Sequence, residues 1–306
     1  ALARAQAADD RAAEGRTHAN IAHIYRALAD YPAALAAYPA ALEVAEPLND
    51  IMLLATIHAD MGALYSAQNQ AEEALIAYTK ALSLAREMDD AQLVYTILNG
   101  LGAAQQTLAN YEGALASYSE LLAAARAFSD PALEGDILAK LGRLQRDLGN
   151  QTQALDYYQQ ARNLADSLSD PALQAQALEN IARLQRDAGD VEQARQTYQA
   201  ALTLAQASGD PQLEERALAN LGRFYRDSGQ PTQALDPYQQ LLAKARAAGN
   251  QQDEVSALEN IARLQRDGGK LDEALASYQA VLALAQALEN LPLQQATQTN
   301  IAKTYS

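Results

Sequence analysis

Residues 171–210 read PALQAQALENIARLQRDAGDVEQARQTYQAALTLAQASGD, which spells two helices and the turn between them. Asp170 stands before Pro171. An Asp side chain accepts from the first free N–H groups of a helix, and the missing N–H of proline is harmless at the first helical position. Leu178, Ile181, Ala182 and Leu184 follow close to a 3.6-residue period. Gly189-Asp190 breaks that pattern, since glycine enters the left-handed conformation that ends a helix most easily. A second helix is predicted from near Val191, with Ala194, Tyr198, Ala201, Leu202 and Ala205 inward.

Outward from this stretch the same layout returns every 40 residues. Tyr38, Tyr78, Tyr118, Tyr158, Tyr198, Tyr238 and Tyr278 form one ungapped column. Ala34, Ala74, Ala114, Ala154, Ala194, Ala234 and Ala274 form a second, and Ala45, Ala85, Ala125, Ala165, Ala205, Ala245 and Ala285 a third. Such registration does not arise from composition. The Asp-Pro start recurs at Asp130-Pro131 and Asp210-Pro211, and Gly149, Gly229 and Gly269 occupy the turn position of Gly189. Pro39 and Pro237 fall inside second helices and are expected to bend them. Ala, Leu, Gln, Glu and Arg dominate, with two Phe and no Trp, a mixture that favours helices packed closely through small side chains. A length of 306 residues would suggest two domains, but the repeat argues for one array.

These residues resemble the tetratricopeptide repeat. In unit 211–250 the family pattern is carried by Leu218, Leu221-Gly222, Tyr225, Ala234, Tyr238 and, less ideally, Leu241. In unit 51–90 it is carried by His58, Met61-Gly62, Tyr65, Ala74, Tyr78 and Ala81. The period of 40 residues exceeds the usual 34 and is similar to that of a subclass found in cell-polarity adaptors and bacterial regulators. Gln105, Gln145, Gln185 and Gln265 replace the first aromatic, leaving polar groups that need partners or water. The resemblance implies an all-α, right-handed α-α superhelix (a solenoid) of antiparallel helix hairpins, with first helices lining a concave groove. Seven full repeats are expected at 11–50, 51–90, 91–130, 131–170, 171–210, 211–250 and 251–290. Residues 1–10 match the close of a second helix and 291–306 most of a first helix. The expectation is therefore a fragment of a longer protein, whose incomplete ends could stack copies head to tail.

Positions three, four and seven apart share a helix face. Down the first helices one column reads Lys140, Asn180, Asn220, Asn260 and Asn300, and the next Arg143, Arg183, Arg223, Arg263 and Lys303. A third, slightly to one side, reads Arg146, Arg186, Arg226 and Arg266. Ten of the 23 basic residues lie in these columns, so positive charge is gathered there despite a net charge of −15. Arg binds carboxylates through a planar fork, and Asn both donates to and accepts from a peptide backbone. Units one to three depart from the pattern, with Asn20, Asp60 and Gly100, then His23, Ala63 and Ala103, so binding is predicted over 131–290. A rival reading is structural. Asp147, Asp187, Asp227 and Asp267 stand four residues after the inner Arg column and could neutralise it. The repeated LENIARLQRD of 178–187 and 258–267 adds that copying alone preserves residues.

The acidic total argues against generic nucleic-acid or anionic-membrane binding. With no cysteine, disulfides and thiolate chemistry are excluded, which is compatible with a reducing compartment and an expected cytoplasmic location. No apolar stretch is long enough to span a bilayer, and no phosphate loop, zinc-protease helix or nucleophile elbow is present. His18, His23 and His58 read as packing variants rather than metal ligands, and the Tyr column as core with hydroxyls reaching an edge. The expectation is a non-enzymatic, cofactor-free scaffold binding an acidic or extended peptide segment of another protein. The alternative is the sensor region of a larger bacterial signalling protein or enzyme.

Overall fold

A turn repeated every 20 residues sets the architecture. A computed structural model describes residues 1–8 and 10–305; Asp9 and Ser306, which belong to the two expected partial-repeat ends, lie outside the described residues. Backbone φ is positive at residue 29 and at each twentieth residue from there to 289. Gly149, Gly189, Gly229 and Gly269 hold this conformation inside hairpins, as the sequence predicts. Ala29, Asn69 and Ala109 hold it too, at φ of 57, 59 and 56°, although nothing in their side chains demands it. At Ala29 the N–H donates to the Arg26 carbonyl at 3.0 Å, and the N–H of Asp30 to that of Tyr25 at 2.9 Å. Two carbonyls of the outgoing helix are thereby satisfied. Asp30 then opens the next helix, its Oδ1 accepting from the Ala33 N–H at 3.2 Å. Asp50, Asp90, Asp130 and Asp170 serve both helices in the same way. Before Pro171 and Pro211, the side chains of Asp170 and Asp210 each accept from two N–H groups.

The chain forms two compact units, Ala1–Ala154 and Leu155–Ser306. The first contains α1 (Leu2–Ala7), α2 (Arg11–Ala27), α3 (Tyr31–Leu48), α4 (Ile51–Ala67), α5 (Ala71–Glu87), α6 (Ala91–Thr107), α7 (Tyr111–Ala127) and α8 (Pro131–Asp147). The division falls within α9 (Gln151–Leu168). The second contains α10 (Pro171–Asp187), α11 (Val191–Ser208), α12 (Pro211–Asp227), α13 (Pro231–Ala248), α14 (Gln251–Asp267), α15 (Leu271–Ala287) and α16 (Leu291–Tyr305). There is no strand among the described residues, and no helix long and apolar enough to cross a membrane. Pro39 and Pro237 sit inside α3 and α13, which run on through them as single helices.

Within each unit, first helices pack on their own second helices and on the next hairpin, giving a stretch of all-α solenoid. In the first unit Ala22, Tyr38, Ala41, Ile57 and Leu64 join α2, α3 and α4 in one core. In the second, Ala182, Tyr198, Phe224, Tyr238 and Ile261 join α10 to α14. Phe224 is fully buried, with its ring centroid 5.2 Å from that of Tyr198. Burying such a side chain stabilises by roughly 1.5–3 kcal/mol. The Tyr column is buried throughout, as expected. Its rings explain the small residue of the Leu-Gly pair: a Cβ at Gly62 would stand 2.7 Å from the Tyr78 ring, and one at Gly102 would stand 2.6 Å from that of Tyr118. The edge expected for the hydroxyls fails at Tyr38, whose Oη is buried without a hydrogen-bond partner among the described residues. Burial pushes its pKa up, since a phenolate there would be desolvated.

The glutamines standing for the first aromatic find partners in three hairpins. Gln105 and Gln265 accept through Oε1 from the hydroxyls of Ser117 and Ser277, each at 2.8 Å, and Gln145 accepts from Asn150 Nδ2 at 2.8 Å. Gln185 Oε1 is buried without a hydrogen-bond partner among the described residues.

Candidate functional site

In the second unit the expected columns occupy the first helices α10, α12, α14 and α16. The arginines separate into two kinds. Arg186, Arg226 and Arg266 each direct Nε and Nη2 at one oxygen of the adjacent Asp187, Asp227 or Asp267, at 2.8–3.1 Å. Burial works against the Arg186 charge, but Asp187, with Tyr198 and Asp227 behind it, outweighs burial and raises its pKa. The aspartates thus bind the neighbouring arginine, one residue back, and not the inner column four residues back. Helix geometry accounts for this, because a cation preceding an anion by four residues is the weaker order of such pairs. Arg183, Arg223 and Arg263 form no ion pair among the described residues. Arg183 lies against the Tyr198 hydroxyl, while Arg223 and Arg263 are exposed.

The asparagines differ from one another. Asn180 and Asn220 are 8% and 9% exposed. Asn220 Nδ2 is buried without a hydrogen-bond partner among the described residues. Asn260 is partly exposed, donates to the Ser256 carbonyl at 2.9 Å and accepts from Arg226 Nη1 at 3.4 Å. On α16, Asn300 is partly exposed and Lys303 exposed.

A pair the sequence reading missed lies beside them. Glu179 on α10 is 5% exposed, and its Oε2 accepts from Arg216 Nε of α12 at 3.0 Å. Burial pushes the Glu179 carboxyl above the ordinary glutamate range, against the pull of Arg216, Asn220 and Arg183. The available signal was the 40-residue column: Glu stands at 179 and 259 where 139 and 219 have Ala.

In the first unit the corresponding positions have a different character. Lys140 is held internally: Nζ donates to Asn99 Oδ1 at 2.7 Å, lies 2.8 Å from Asp136 and sits 5.8 Å from the Tyr118 ring centroid. Arg143 on α8 forms no ion pair among the described residues, whereas Arg146 is bound to Asp147 at 2.9 Å. On α4, Asp60 meets Arg26 at 3.3 Å and His23 at 3.9 Å. Burial raises the Asp60 pKa, with Arg26 and His23 opposing. On α6, Gly100 cannot accept the asparagine of the later repeats, since a Cβ there would stand 2.3 Å from the Tyr78 ring. Among the described residues no group of three or more His, Asp or Glu is placed to hold a metal ion.

A cavity of about 330 Å³ opens between α12 and α14 above α13. Ala219, Arg223 and Arg226 line it from α12, Tyr238 and Leu241 from α13, and Ser256 and Asn260 from α14.

Residues 1–87, 93–167 and 173–247 match a family model described as tetratricopeptide repeat, and residues 257–292 match a second model of the same description. No curated protein sequence matches. The fold is similar to that of a signal-transduction ATPase with numerous domains and a tetratricopeptide repeat sensor from Pyrococcus horikoshii. The two are 17% identical with a TM-score of 0.66, the likeness covering 93% of this chain and 44% of that one. It is also similar to a tetratricopeptide repeat protein from Parabacteroides merdae, at 17% identity and a TM-score of 0.60 over 93% and 98% of the two chains. A third likeness is to the apo form of the quorum sensor NprR from B. thuringiensis, at 15% identity and a TM-score of 0.53 over 96% and 88%. The chain therefore spans less than half the length of the first of these and most of the other two.

Proposed function

We propose that this chain, a member of the tetratricopeptide-repeat family, holds an acidic or extended peptide segment of a protein partner on the first-helix face of its second unit. Proteins of this family are in general non-catalytic interaction scaffolds. One observation carries the finer reading: among the described residues Arg183, Arg223 and Arg263 form no ion pair, while the arginines three residues on are bound to their own aspartates. Three guanidinium groups outside any such pair, at equivalent places on successive first helices, present forks for carboxylates. Asn260, partly exposed and three residues before Arg263, supplies an amide group suited to a peptide backbone, whereas Asn180 and Asn220 are buried.

The test uses a fluorescein-labelled, terminally blocked peptide of alternating Glu and Gly, with anisotropy read at low and moderate salt. Replacing Arg183, Arg223 and Arg263 together by Ala is expected to weaken binding at least tenfold, or about 1.4 kcal/mol. Replacing Arg186, Arg226 and Arg266 should weaken it less. Circular dichroism should show unchanged helix content. Equal affinity for the first triple variant and the parent would overturn the reading.

A second reading, the sensor region of a larger signalling protein, is favoured by one observation. The likeness to the multidomain ATPase covers nearly all of this chain and under half of that protein. Sequencing the transcript beyond residue 306 decides it: an in-frame ATPase or protease domain supports it, and an immediate stop codon on a transcript with no such domain upstream overturns it.

A further inference from the structure

The cavity between α12 and α14 is lined by Ala219, at the position where α10 and α14 carry Glu179 and Glu259. Its lining is not uniformly basic. Arg223 and Arg226 stand at one end, and Glu215 of α12 and Asp253 of α14 also line it. The other charges nearby are already bound: Glu214 to Lys244, Arg216 to Glu179, Glu254 to Arg246 and Arg226 to Asp227. Glu215 and Arg223 are thus a carboxylate and a guanidinium, each without an ion pair among the described residues, lining one cavity. They are eight residues apart on the same helix, so their α-carbons are separated by about 12 Å. Asp253 accepts from Asn250 of its own helix cap and faces the acidic end.

We infer that this cavity is a bipolar subsite for an extended peptide segment carrying a carboxylate and a Lys or Arg three or four residues apart. The inference rests on the peptide-binding reading above and narrows it. An extended chain advances about 3.3 Å per residue, so three to four residues span the separation of the two α-carbons. The ligand carboxylate meets Arg223, its cation meets Glu215 and Asp253, and Ser256 and Asn260 supply polar groups between them. An all-acidic segment would instead bring like charges onto Glu215 and Asp253. The volume of about 330 Å³ lies at the small end of ligand pockets, suited to a few residues of a longer chain.

Two blocked, labelled peptides of equal length test this with the full chain: one with Glu and Lys four positions apart in a Gly-Ser background, the other with Glu at both positions. The bipolar peptide is expected to bind the parent at least fivefold more tightly. Glu215→Gln combined with Asp253→Asn should erase that preference, and Glu215→Lys should invert it. Ala219→Leu, which fills the cavity, should weaken the bipolar peptide at least fivefold without loss of helix content. If the all-acidic peptide binds as tightly as the bipolar one, the bipolar subsite is wrong while the acidic-peptide reading stands. If neither peptide binds, both fail.

Discussion

Residues 178–187 of α10 and 258–267 of α14 are the same ten amino acids, LENIARLQRD, yet the two copies live in different chemistry. Glu179 is buried against Arg216 of the next first helix, whereas Glu259 is partly exposed and has no ion pair among the described residues. The cause lies outside both copies, since the place that Arg216 takes relative to Glu179 is taken by Ala296 relative to Glu259. Gln265 has the hydroxyl of Ser277 at 2.8 Å, while Gln185 Oε1, in the hairpin that carries Thr197 at the matching place, has no hydrogen-bond partner among the described residues. Asn180 is buried and Asn260 is engaged by Arg226. In a stack of hairpins, the identity of a helix therefore sets its fold, and the helices on either side of it set its chemistry.

The strongest way to break this contrast is Arg216→Ala, which leaves the Glu179 carboxylate buried without its main cation. Stability should fall by on the order of 1–3 kcal/mol at neutral pH in urea unfolding. The sign of the pH dependence follows from the raised Glu179 pKa. The folded state holds this proton more tightly than the unfolded chain, so the stability belonging to protonated Glu179 is fully present below about pH 4.3 and is lost as pH rises through the folded value. The deficit of Arg216→Ala should accordingly shrink on acidification, and adding Glu179→Gln should restore most of it at neutral pH. A deficit of equal size at pH 4 and pH 7 would mean that lost packing, not the buried charge, is responsible.

Next in size is Ser277→Ala. It orphans Gln265 Oε1 and should cost about 1–2 kcal/mol, making the α14 hairpin resemble that of α10. Thr197→Ser works in the other direction, offering Gln185 the hydroxyl found at 277, with an expected gain of about 0.5–1 kcal/mol. Thermal unfolding of the two variants and their combination reads both. The smallest effect belongs to Ala296→Arg, which gives Glu259 the partner that Glu179 has. An exposed pair of this kind contributes less than about 1 kcal/mol, so it is read from a double-mutant cycle with Glu259→Gln in urea unfolding. A coupling energy of zero would show that the α16 position does not reach Glu259.

Most of the fold can be read along the chain because its determinants are local or periodic. Asp170-Pro171 starts a helix by itself, Gly189 ends one, and the Tyr column marks the core wherever it falls. What escapes reading is settled by choice among geometries or by distant neighbours. Ala29 and Ala109 adopt positive φ because the helices on either side require it, not because alanine favours it. Asp187 was within reach of two arginines, and only the structure shows it bound to Arg186 rather than Arg183. The Glu179–Arg216 pair joins residues 37 positions apart, and the acidic end of the α12–α14 cavity combines Glu215 and Asp253 from different repeats. Columns identify equivalent positions, but a contact made at only one level of the stack leaves no periodic trace.

The double duty of Asp30, Asp50, Asp90, Asp130 and Asp170 has a consequence for how such a chain can change length. Each finishes one helix through its N–H and begins the next through its carboxylate, so these junctions hold no spare residue. Inserting or deleting a single amino acid there would separate the two bonding roles and rotate everything downstream off its buried stripe. Length variation is then confined to whole copies of the unit, in which both ends of the new segment arrive with matching junctions. The duplicated LENIARLQRD is what that mode of growth leaves behind.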